Sequence, residues 1–205
     1  GPTLIAVGIG DPGSLSVNGL RSAAAALIRA AGKRGSVATA LADLDGVDAK
    51  SAAQAVVEGA VLASYRFPGL KSYQAAASPT LNSLTLVVGD KRTPAARQGV
   101  ERGVVTAKAA WLARDLANTP PSQLTATKLA DRAVDLGKST GLKVEVFNRD
   151  QLLAMGCGGM VGVNQGSVEP PRMVRLTWTP RNPTGHLVLV GKGVMYDSGG
   201  ISLKP

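Results

Sequence analysis

At 205 residues the chain has room for one large domain or two small ones and for a substantial core. Its hydrophobic fraction of 44% fits a globular protein, and aromatics at 3% leave a core of Ala, Val, Leu and Ile, favouring helices packed on sheets over a β-sandwich. The net charge of +9 raises an acidic partner such as nucleic acid, but the 23 basic residues are scattered without a block or an aromatic-interleaved stripe, which argues against nucleic-acid binding as the main function.

In chain order, residues 3–9 read as a buried strand closed by the turn signal Gly10-Asp11-Pro12-Gly13. That run lacks the basic flank of a signal peptide, and no apolar stretch approaches the ~20 residues of a membrane span, so a cytoplasmic protein without a membrane partner is expected. Residues 16–31 follow as a helix with Leu20, Ala24, Leu27 and Ala31 at helical spacing, then a strand at 36–41 and a helix at 49–65. The small positions Ala52, Ala55, Val56, Gly59, Ala60 and Ala63 trace one face of that second helix, which predicts close packing on a sheet. A third strand spans 83–88. The alternation predicts a mainly parallel α/β layer structure.

From 95 to 117 the pattern becomes one long helix with Val100, Val104, Ala107, Trp111 and Leu116 as inward positions, stopped by Pro120 and Pro121. At 1.5 Å per residue such a helix spans ~35 Å, enough to connect two domains. The domain boundary is expected at this helix, with residues 1–93 before it, 94–118 forming it and 119–205 after it. In the last part a helix is expected at 125–139 with Leu129, Ala133 and Leu136 inward, a strand at 142–147, and a short helix at 149–155 capped by Asn148. Residues 156–162 read as flexible, close-approach backbone. Strands at 172–177 and 186–190 complete the pattern.

Cys157 is the only cysteine and His186 the only histidine, so no internal disulfide forms and Cys/His, Ser/His/Asp and zinc-finger chemistries are disfavoured. Cys157 reads as a small core residue and His186 as the start of a strand.

The stretch GKGVMYDSGGISLKP at 191–205 then empties a strand into a glycine-rich loop, the usual place for a ligand in an open α/β sheet. It is not a phosphate loop of the G-x-x-x-x-G-K type, because Lys192 precedes the glycines, and Tyr196 stands where G-x-G-x-x-G needs its third glycine. The residues alone leave two readings open: a tight loop with solvated charges, or part of a metal site in which Asp197 supplies a carboxylate shared by two cations. A lysine amine joins such a site only when neutral, far below its ordinary pKa of ~10.4.

Beyond this residue-level reading, 190–205 resembles the metal-binding segment of the leucyl aminopeptidase family, the dinuclear cytosol aminopeptidases. Three further segments resemble the same family in the same order: EGAVLASYRF at 58–67, ARDLANTPPSQLT at 113–125, and the pair MGCGGM at 155–160 with GSVEPPR at 166–172. The resemblance implies an α/β fold: a partial amino-terminal α/β domain, the long helix, and the start of an α/β catalytic domain with a central mixed sheet. It further implies a hydrolase that releases amino-terminal residues from peptides, leucine and other apolar residues preferred, with two divalent ions (Zn²⁺ or Mn²⁺, or Mg²⁺).

By position, the resemblance makes Lys192 a metal ligand through its amine, Asp197 the carboxylate bridging both metals, and Lys204 the catalytic lysine facing the substrate carbonyl. A homo-hexamer and a bicarbonate acting in proton transfer are implied in the same way. The chain departs from the pattern at Met195-Tyr196, where the family commonly has Thr-Phe. The family's other ligands, an aspartate and an Asp-x-Glu pair, together with the bicarbonate-holding arginine, fall beyond Pro205. The expectation is an internal portion of a longer enzyme, truncated at both ends and inactive alone, whose missing acidic ligands contribute to the basic excess. The competing expectation is a DNA- or protein-binding scaffold on the same fold.

Overall fold

Ser16 starts the first helix, its hydroxyl accepting from the Gly19 amide at 3.1 Å, and α1 (Val17–Ala31) runs until Gly32 closes it at a φ of 58°. The computed structural model describes residues 1–67 and 81–195, which belong to two units, Gly1–Asn118 and Thr119–Pro205. In the first unit α1 is followed by β1 (Ser36–Thr39), α2 (Ala49–Ala63), β2 (Ser83–Leu86) and α3 (Thr93–Asn118). β1 and β2 pair in parallel, Ser36 opposite Ser83 and Thr39 opposite Leu86. A parallel pair needs a crossover, and α2 lies within that connection.

α2 is the centre of the unit because its sequence is almost all small and apolar. Ala52, Ala53, Ala55 and Val56 are fully buried, with Leu20 and Ala24 of α1 on one side and Ala96 of α3 on the other. Short side chains bring the helix axes together, and glycines bring them closer still. A methyl at Gly59 would overlap the Arg21 carbonyl of α1, and one at Gly99 would overlap the Lys50 carbonyl of α2. The buried stripe of α3 is Ala96, Gly99, Gly103 and Ala107, whereas Val100, Val104, Trp111 and Leu116 are only partly buried. Of the positions expected inward, Ala107 alone is fully so, because the tight approach selects the residues without bulk.

Polar ties lock the same three helices. Glu58 of α2 is 8% exposed, yet its carboxylate accepts from Arg21 Nε and Nη2 of α1 at 2.9 and 2.7 Å, from Gln54 at 2.7 Å and from the Thr106 hydroxyl of α3 at 2.7 Å. At the far end, Trp111 Nε1 donates to the Val61 carbonyl at 3.0 Å and stands edge-on to Tyr65 at 5.9 Å. Ahead of α3, Arg92 Nη2 donates to the carbonyls of Ala42, Leu44 and Val47, pinning the connection between β1 and α2.

In the second unit α4 (Ala126–Thr140) starts at Thr125, ends at Gly141 with a φ of 74°, and leads into β3 (Lys143–Phe147). α5 (Arg149–Ala154), α6 (Gly158–Val163) and β4 (Met173–Thr177) follow. β3 and β4 run antiparallel, Lys143 opposite Thr177 and Phe147 opposite Met173. Leu152 and Val161 anchor α5 and α6, and burying Leu152 completely is worth about 2 kcal/mol.

Several elements differ from the sequence expectation. Residues 3–9 form no strand: Ile5, Val7 and Ile9 are half-buried and their neighbours exposed, so the alternation is present without a ladder. The strand at 186–190 is also absent, and His186 is exposed in irregular backbone. Residues 156–162 are not close-approach backbone. From Gly158 on they form α6, with nothing within 4 Å of an added Cβ at Gly158, Gly159 or Gly162. Cys157 precedes that helix half-buried rather than in the core. The architecture is mixed α/β, with one parallel and one antiparallel pair among the described residues in place of a mainly parallel sheet.

Candidate metal centre

The second unit supplies the framework on which the candidate site is carried. Gly137 of α4 lies against the Leu142 carbonyl and Val144, so helix and strand meet with no room for a side chain between them. Across the β3–β4 ladder, Arg175 donates to both Glu145 oxygens at 2.7 and 2.6 Å and its guanidinium sits 5.4 Å from the centre of the Phe147 ring. The hydrogen bonds from Arg175, with the Arg175 and Lys143 charges, outweigh desolvation and hold the Glu145 carboxyl below its ordinary range. α5 begins with a full capping box: Asn148 accepts from the Gln151 amide at 3.0 Å, and the Gln151 side chain accepts from the Asn148 amide at 2.9 Å.

From this framework β4 delivers the chain through Trp178, 72% exposed, to the run 187–190, whose four apolar side chains are 79 to 94% exposed. Lys192 comes next, exposed, between Gly191 and Gly193, around which no atom lies within 4 Å of an added Cβ. Asp197 and Lys204 lie outside the described residues. Lys192 is therefore the one sequence-predicted site residue whose place is described, and it is exposed.

Among the described residues no group of three or more His, Cys, Asp or Glu side chains is gathered for a metal ion. The donor types at hand, an amine nitrogen from Lys192 and a carboxylate from Asp197, suit a borderline cation such as zinc or manganese. They are fewer than the four donors of a closed zinc shell, so they fit as a share of a site. The polar ties not foreseen from sequence are those of Glu58 and Arg92 within the first unit and of Arg175 within the second. Glu58 left a usable signal, a single carboxylate on an otherwise small, apolar helix face, where burial demands partners.

Comparison with known proteins adds independent information. Residues 2–74 match the model of the cytosol aminopeptidase family N-terminal domain, and residues 111–205 match that family's catalytic domain. The second match begins inside the last turns of α3, upstream of the unit boundary at Asn118. The probable cytosol aminopeptidase of Mycobacterium ulcerans (strain Agy99) is 43% identical over 211 residues, covering 99% of this chain and 40% of that protein. That of Rhodococcus jostii (strain RHA1) is 38% identical over 207 residues, with the same coverage of 99% and 40%.

Among solved structures, the bottromycin maturation enzyme BotP superposes with a TM-score of 0.81 at 42% identity, covering 97% of this chain and 42% of that one. The same enzyme in complex with Mn gives 0.77 at 40% identity, over 97% of this chain and 41% of that one. A mutant of tomato leucine aminopeptidase shares the fold at a TM-score of 0.71 and 24% identity, over 80% of this chain and 34% of that one. The chain thus spans about two fifths of the length of the curated relatives it matches, 40% for both named above. With both domain matches in order and relatives at this identity across nearly all its residues, the chain belongs to the cytosol aminopeptidase family.

Proposed function

We propose that the protein is a metal-dependent aminopeptidase that removes amino-terminal residues, leucine and other apolar ones preferred, from peptides. The observation that carries this reading is the pair of family matches in chain order, with the segment holding Lys192, Asp197 and Lys204 inside the catalytic match. Residues 1–93 belong to the amino-terminal domain on this reading, 94–118 form the interdomain helix and 119–205 open the catalytic domain.

Lys192 and Asp197 hold divalent ions, manganese being favoured by the Mn complex of the 40% identical neighbour and zinc the alternative. The bound ions supply Lewis acidity and lower the pKa of water. Lys192 would offer a nitrogen donor to an ion, and its side chain is exposed. Asp197 would supply a carboxylate to hold the ions. Lys204 keeps its charge and places N–H donors where negative charge develops on the substrate oxygen, a large contribution to rate in general. A cytoplasmic hexamer with bicarbonate at the site completes the proposal.

The test is hydrolysis of Leu-p-nitroanilide and Leu-peptides by the full-length protein loaded with Mn²⁺ or Zn²⁺. Turnover is expected, and none with metal verified in place overturns the reading. A second reading follows from the 42% identity to a bottromycin maturation enzyme: a dedicated precursor peptide as substrate. A panel of free peptides separates the two, since broad turnover of short Leu-peptides supports the first and their rejection with metal bound supports the second.

A further inference from the structure

We propose that a cavity at the C-terminal ends of α1 and α2, walled by Arg29, Arg34 and Arg66, binds a phosphate group. The cavity encloses about 120 Å³ in the first unit, and Ile28, Ala63 and Leu81 form the apolar part of its wall. Its arginines come from three places in the chain: the last turn of α1, the turn after it and the residues after α2. No carboxylate lines it among the described residues.

Each arginine retains free donors. A guanidinium carries five N–H groups. Arg34 uses Nη1 on the Ala31 carbonyl at 3.2 Å and Nη2 on the Thr3 hydroxyl at 3.1 Å, while Arg66 uses Nη1 on its neighbour's carbonyl at Tyr65, 2.9 Å away. Arg29 makes no hydrogen bond or ion pair among the described residues. Beside the segment after α2, the Asp115 carboxylate accepts from the Tyr65 hydroxyl at 2.8 Å, and in the interior Glu58 is engaged by Arg21. Three like charges around one small cavity repel unless an anion or solvent compensates them.

Helix C-termini carry partial negative charge and by themselves disfavour an anion. Here those carbonyls have donors of their own: Arg34 caps Ala31, and the Ser64 amide answers Ala60 and Val61. The remaining guanidinium N–H groups therefore set the local preference. Arginine matches phosphate oxygens with paired, charge-assisted hydrogen bonds. A volume of about 120 Å³ is well above the ~10–15 Å³ that one water needs, and it admits a phosphate group.

The test is calorimetric titration of the full-length protein, stripped of metal with EDTA so that phosphate has no cation to bind, against chloride of matched ionic strength. Orthophosphate and glycerol 3-phosphate are titrated in parallel, so that preference for one separates free phosphate from a phosphorylated molecule. Saturable binding of either is expected, weakened at least about tenfold in Arg29→Gln/Arg66→Gln, the scale of one charged hydrogen bond. Circular dichroism checks that the double variant is folded; the single Arg29→Gln, at an exposed residue without a partner, gives a second measurement. Heat no greater than with chloride, or unchanged affinity in a folded variant, overturns the proposal.

Discussion

Arg21 and Glu58, 37 positions apart in sequence, meet through two hydrogen bonds at 2.9 and 2.7 Å and join α1 to the buried face of α2. Glu58→Ala leaves Arg21, Gln54 and Thr106 without their shared acceptor. A loss of about 2 kcal/mol is expected, below the ~3–5 kcal/mol of a fully buried pair because Arg21 is partly exposed. Urea unfolding followed by circular dichroism measures it; a midpoint equal to wild type contradicts the role.

The same carboxylate gives a pH dependence. Burial pushes the Glu58 carboxyl up, but hydrogen bonds from Gln54, Thr106 and Arg21, with the Arg21 charge, outweigh burial and hold it below its ordinary value. A depressed carboxylate contributes stability that is full above the unfolded value of about 4.3 and is lost as pH falls through the lower folded value. Wild type is therefore expected to lose stability below about pH 4.3 more steeply than Glu58→Gln. Parallel slopes in that window would remove Glu58 from the explanation.

Two glycine substitutions should move stability in opposite directions. Gly99→Ala drives a methyl into the Lys50 carbonyl, and overpacking of about 1–3 kcal/mol exceeds the helix-propensity gain of about 1 kcal/mol. Gly159→Ala in α6 meets open space and should gain about 0.5 kcal/mol. Thermal melts of both variants decide, and destabilisation by each to the same extent would show that the contact at Gly99 is not the cause.

The tryptophans report on the two units separately. Trp111 is half-buried and hydrogen-bonded to Val61, whereas Trp178 is 72% exposed. Acrylamide should quench the emission of Trp111→Phe strongly and that of Trp178→Phe weakly. Equal quenching would place Trp111 in solvent.

At the candidate metal centre, Asp197→Ala is expected to abolish binding of two metal ions per chain, while Lys204→Ala retains metal and loses turnover. Metal content by plasma emission spectrometry and hydrolysis of Leu-p-nitroanilide, both on the full-length protein, test the separation of roles. Loss of metal in both variants refutes it.

How far the sequence could be followed depends on whether a signal was local. The Asn148 cap, the stop at Pro120 and the small face of α2 each depend on neighbours within a turn or two, and the elements they define stand within a few residues of expectation. The glycines of α3 deceived the pattern because their reason is the α2 backbone across the interface, invisible along α3 itself. Alternation at 3–9 and the apolar run at 186–190 specify a preference for extended backbone, but a strand exists only when another strand completes its hydrogen bonds. For the site, Lys192 is marked by the family resemblance of its segment and not by spacing, and nothing in its neighbourhood gathers a ligand set among the described residues.

The exposed run from Leu187 to Val190 has a consequence for handling the protein. Four consecutive apolar, uncharged side chains, each 79 to 94% exposed, present an adhesive patch that a second molecule can cover. Concentration, more than heat, should then limit the working life of the 205-residue polypeptide in solution. A lysine at Val188, facing water already, would act as a gatekeeper against that self-association.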